Sequence, residues 1–146
     1  KKLVMKKIFT ILIFFGFITS SFAGKKSFFD EAKILFEEEK YEESKFLFQR
    51  NIVYNPKNAD SYLYLAKIFN FEENKVEEEK NINTALLLDP KNEEAMYILI
   101  DIELKRSNFS KAEELKKDFK VICSKMCEKL TSINSRLKEF EKKDAS

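Results

Sequence analysis

Two phrases, Asn55-Pro56-Lys57-Asn58 and Asp89-Pro90-Lys91-Asn92, repeat one another with an offset of 34 between their prolines. The offset recurs well beyond these turns. Ala32 falls on Ala66, Phe48 on Ile82, and Phe28 on Tyr62, then Met96, then Leu130. Across two periods Tyr41 falls on Phe109 and Ser44 on Ala112. Apolar matches apolar, small matches small, and turn matches turn. A period of this length makes each unit one supersecondary element that buries its apolar face only by stacking on the next.

Each unit reads as two helices. In the second, Asn58 is a good N-cap and Asp60 complements the positive end of the helix dipole. Tyr62, Leu65, Ala66 and Phe69 then recur at i, i+3, i+4 and i+7, which is one helical face. A polar break at Glu72-Glu73-Asn74 precedes Val76, Ile82, Ala85, Leu86 and Leu88. Asp89-Pro90 ends the unit, since proline lacks a backbone N–H and forces its predecessor into extended geometry. The first and third units repeat the pattern, and Leu130, Ile133, Leu137 and Phe140 add a further amphipathic stripe. Two Gly and two Pro among 146 residues could not supply an all-β chain with a turn every ~8–12 residues. The reading is all-α, with helices at about 27–39, 42–54, 59–71, 75–88, 93–106, 109–122 and 126–142.

The pattern resembles the tetratricopeptide repeat (TPR), with small residues at helix crossings (Ala32, Ala66), an aromatic opening second helices (Tyr41, Phe109), Ala85 and Ala112, and closing prolines (Pro56, Pro90). There are departures. The usual tryptophan is replaced by Phe28, Tyr62 and Met96, Ile100 is large where a small residue is expected, and Lys75 and Glu78 should make the second unit's second helix begin raggedly. The resemblance implies a short right-handed superhelix over 24–142, with repeats at about 25–58, 59–92 and 93–126. A capping helix at 126–142 and a disordered tail at 143–146 complete it.

Residues 1–23 read as an export signal, with translation starting at Met5. Lys6 and Lys7 precede an apolar run at 8–18, and Ser21 and Ala23 form the small-residue pattern of a cleavage site. Spanning a membrane takes about 20 apolar residues, more than this segment offers, so membrane contact is expected only before cleavage. Removing 1–23 takes away four lysines and no acid, moving the formal charge from +2 to −2. The remainder has no electrostatic footprint for nucleic acid. The expectation is an exported bacterial protein, periplasmic in a Gram-negative cell.

With no histidine in the chain, a Ser-His-Asp triad and a His-ligated metal are excluded, and no glycine cluster offers a phosphate or dinucleotide loop. No enzyme, cofactor or metal site is expected. Cys123 stands one full period after Asp89, and Ser124 holds the place of the third proline. In an oxidising compartment a Cys123–Cys127 disulfide would fasten that turn. Free or intermolecular thiols, a redox pair, and a soft copper(I) site from Cys123, Met126 and Cys127 are the alternatives.

The TPR resemblance also implies a concave groove, lined by the first helices of successive units, that takes a protein or peptide segment. Carried over by register, the candidates are Phe29, Lys33 and Phe36, then Leu63, Lys67 and Phe71, then Tyr97, Asp101, Leu104 and Lys105. Phe29 takes the place of the first lysine of the carboxylate clamp found in many family members, so chaperone-tail binding is not carried over. Phe29, Phe36 and Phe71 have two readings, ligand contact or packing between helices. The function expected is an interaction module in an envelope assembly, with a redox or copper accessory as the alternative.

Overall fold

The computed structural model describes residues 27–144, which form seven helices and no strand. They are α1 (Phe28–Glu37), α2 (Tyr41–Tyr54), α3 (Ala59–Phe71), α4 (Lys75–Leu88), α5 (Glu93–Lys105), α6 (Phe109–Ile122) and α7 (Lys129–Asp144). Each packs on its neighbours in sequence, and α5 also meets α7. That order of contacts belongs to a stacked solenoid, with α1–α2, α3–α4 and α5–α6 as its units. The segment read as an export signal lies outside the described residues, as do the last two residues of the expected tail.

The caps explain why the helices start where they do. Ser27 Oγ accepts the N–H of Asp30, Asn58 Oδ1 that of Ser61, and Asn92 Oδ1 that of Ala95. The turn inside each unit carries a left-handed residue that the sequence pattern did not announce: Glu39, Glu73 and Ser107, with φ of 60°, 58° and 60°. These three are again spaced by the repeat period. None is glycine, so each unit accepts a steric cost to close its helix pair.

Two expectations are corrected. The capping helix begins at Lys129 rather than near residue 126, because 123–128 are used for the turn, and it continues through Asp144. The second unit's second helix does not begin raggedly. Asn74 Oδ1 caps it by accepting the N–H of Glu77, and Glu78 is only 3% exposed. Asn70 Nδ2 donates to Glu78 Oε1 at 2.6 Å, and Lys75 Nζ lies 3.2 Å from Oε2. Lys75 stands where the flanking units have Tyr41 and Phe109, and Glu78 where they have Ser44 and Ala112. The two departures compensate one another as an ion pair.

Two apolar clusters make the core. Around the first unit, Ala32, Phe48, Leu65 and Ile68 are buried under Phe29, Phe36, Tyr41 and Tyr64. Phe48 and Tyr64 stack at 4.9 Å, and Phe29 packs edge-on to both. The larger cluster runs from Leu63 and Ala66 through Ile82, Ile100 and Phe119 to Ile133 and Leu137 of α7. Buried polar groups are paired, as interiors require. Ser44 Oγ donates to the Ala32 carbonyl, and Asn51 Nδ2 to Ser61 Oγ, which in turn donates to Asn58 Oδ1.

The Pro-less turn is secured twice. Cys123 and Cys127 form a disulfide with Cα atoms 5.2 Å apart. Glu93, the first residue of α5, accepts hydrogen bonds from Ser124 Oγ and from the N–H groups of Lys125 and Met126. Led by the Ser124 hydroxyl and reinforced by the backbone donors, these bonds hold the Glu93 carboxyl down at about 2, against a smaller upward push from desolvation.

Candidate peptide-binding cleft

The C-terminal halves of α1, α3 and α5 converge on a cleft of about 290 Å³. Phe36 and Phe71 contribute aromatic walls, with Ala66 and Ile98 as further apolar surface. Lys67, Asn70, Asp101 and Lys105 add polar groups, as does Glu78 from α4. Phe71 is 58% exposed, yet its ring is fixed by stacking on Tyr41 at 4.6 Å. Phe36 is held edge-on between Tyr41 and Tyr64.

The charges of the cleft are already balanced. Lys67 Nζ lies 2.6 Å from Glu94 and hangs over the rings of Tyr64 and Phe36. Lys105 pairs with Asp101, which also receives Arg136 of α7 at 2.6 Å. Burial pushes the Asp101 carboxyl up, but hydrogen bonds from Lys105 and Arg136 outweigh it and leave it below its ordinary value. Burial, helped by Glu94, Glu37 and Asp60, raises the Tyr64 hydroxyl.

Five of the ten sequence candidates meet there: Phe36, Lys67, Phe71, Asp101 and Lys105. The other five do not. Phe29 packs on Phe48 and Tyr64, Leu63 is buried in the main cluster, and Tyr97 leans on Phe119 beneath Lys129. These three share one repeat position, so a single misjudged face accounts for all of them. That position turns toward the neighbouring helices. Leu104 is buried in the same cluster as Leu137 of the cap, and half-buried Lys33 is outside the cleft lining. Of the two readings of the aromatics, packing holds for Phe29, while Phe36 and Phe71 both pack and face the cleft. Asn70, Ala66, Ile98 and Glu78 were missed. Asn70 was within reach, since it falls one period after Phe36.

No protein-family model matches the sequence, and no curated protein is significantly similar to it. Solved structures do match. The type III secretion translocator chaperone SycD of Yersinia enterocolitica superposes with a TM-score of 0.68 at 16% identity, covering 82% of this chain and 84% of SycD. SycD in complex with a peptide of the translocator YopD gives 0.68 at 16% identity, covering 80% and 92%. The second TPR domain of human RPAP3, in complex with an HSP70 peptide, gives 0.61 at 22% identity, covering 74% and 92%. The likeness at these identities is one of fold. The chain has the all-α tetratricopeptide-repeat fold.

Proposed function

We propose that this chain is a peptide-binding interaction module, not an enzyme, acting as a scaffold or adaptor in a bacterial envelope assembly. The observation that carries the reading is the cleft itself. Phe36, Phe71 and Ile98 form a pre-set apolar site among polar groups that already have partners, the composition expected of a recognition pocket. Its occupant is an apolar side chain of a partner segment, seated over Ala66. Two structures of the same fold hold peptides, from YopD and from HSP70, which supports a peptide as the partner here. The apolar run at 8–18 and the small residues before residue 24 support export. The disulfide engages both cysteine sulfurs, which favours a structural role for the pair over copper binding, since neither sulfur is a free thiolate.

The test is capture from envelope extract by wild-type protein and by Phe71→Ala. Phe71 is largely exposed, so the variant should keep its fold. Loss of its ring from the centre of a recognition site should weaken a groove partner by about 2 kcal/mol or more. Equal recovery of every partner by a folded variant would remove the cleft from the binding surface.

A further inference from the structure

The last turns of α2, α4 and α6 each present a bare aliphatic side chain: Val53, Leu87 and Val121, 78%, 81% and 84% exposed. Their spacing equals the repeat period, so they occupy one repeat position on one edge of the solenoid. Four residues beyond each comes an exposed lysine: Lys57, Lys91 and Lys125. Lys57 and Lys91 sit in the turns that join units, and Lys125 in the disulfide-bridged turn. None of the three makes an ion pair among the described residues, and neither does Lys117, one helical turn before Val121. Several lysines elsewhere are paired, as with Lys45 and Glu72, Lys67 and Glu94, or Lys116 and Glu113, while Lys33, Lys120, Lys129 and Lys138 also make no ion pair among the described residues. Asp118 and Asp60 are exposed on the same stretch, yet no pair joins them to these lysines.

We infer that this edge is a second binding surface, separate from the cleft, and that its occupant is an anionic lipid surface. Three points argue for it. The aliphatic groups stand at one repeat position on successive units, so they suit an extended flat partner into which each side chain inserts on its own. The unpaired lysines beside them complement negative headgroups. A second copy of the same edge would set lysine against lysine, which disfavours self-association there. No described helix is long and apolar enough to cross a membrane, so the contact is peripheral.

The chain contains no tryptophan, which gives a local reporter. Leu87→Trp, made in the full chain, is mixed with vesicles of phosphatidylcholine alone or of phosphatidylcholine with phosphatidylglycerol. The expected result is a blue shift of Trp emission with the anionic vesicles only, reversed by added salt. Lys57→Gln, Lys91→Gln and Lys125→Gln together should lower the partitioning that produces this shift by about tenfold or more. Circular dichroism confirms that the variants remain helical. If the protein floats with anionic vesicles while emission at position 87 stays unshifted, another segment makes the contact and the proposal is overturned. An equal shift with neutral vesicles, or no shift with vesicles but one with an acidic amphipathic peptide, would overturn it as well.

Discussion

The carboxylate of Glu93 accepts the backbone N–H of Met126 at 2.8 Å, tying the first turn of α5 to the approach of α7 across 33 residues of chain. Asn58 and Asn92 cap the preceding unit boundaries from their own turns, and Met126 occupies the corresponding place without a capping side chain. The carboxylate of Glu93, at the start of the same unit, instead fastens the turn itself by accepting the N–H groups of Lys125 and Met126. Its carboxyl lies at about 2, below the ordinary 4.5. A depressed carboxyl contributes stability that is complete above the unfolded value and lost as pH falls through the folded one. Glu93→Gln should therefore melt below wild type at neutral pH, with the gap closing between about pH 4.5 and 2. Melting curves over that range check this, and a gap independent of pH would mean the charge of Glu93 is not the clamp.

The left-handed turn residues offer a stabilising change. Glu73 has a φ of 58°, a conformation disfavoured by ~1–2 kcal/mol for a residue with a Cβ. Glycine there loses ~0.5–1 kcal/mol through the freedom it gains when unfolded. Glu73→Gly should thus stabilise the fold by roughly 0.5–1 kcal/mol, read from the midpoint of urea unfolding. A lower midpoint would show that the Glu73 side chain contributes more than its strain costs.

Ala66 is 1% exposed, lies in the main core cluster and floors the cleft. Ala66→Phe would press its ring against the helices packed behind the cleft floor and should destabilise by about 1–3 kcal/mol. An unchanged melting temperature would contradict the close approach of helices at that residue.

Leu137 is buried where α7 covers the third unit. Leu137→Ala should cost ~2–5 kcal/mol if the cap folds as one body with the repeats. Hydrogen exchange distinguishes the outcomes: cooperative loss of protection in α5, α6 and α7 is expected, and loss confined to α7 would mean the cap frays alone.

Much of this architecture was legible in the amino-acid order. The repeat period, the Asn58 cap, the proline stops and the Cys123–Cys127 turn are local signals, because caps, breakers and helical faces act within a few residues of themselves. The tertiary structure decided what those signals could not carry. Phe29, Leu63 and Tyr97 look like groove residues by register, yet each turns into the packing between helices. Periodicity tells which face of a helix is apolar, whereas lining a cleft or filling a core depends on the angle at which the next unit arrives. The same holds for Lys75 and Glu78. Each is a defect when read alone, yet buried Glu78 holds Lys75 on one carboxylate oxygen and Asn70 of α3 on the other, and that second partner comes only from the packing of α3 on α4. Glu93 and Met126 are joined by the return of α7 to α5, a long-range contact that the repeat pattern does not encode.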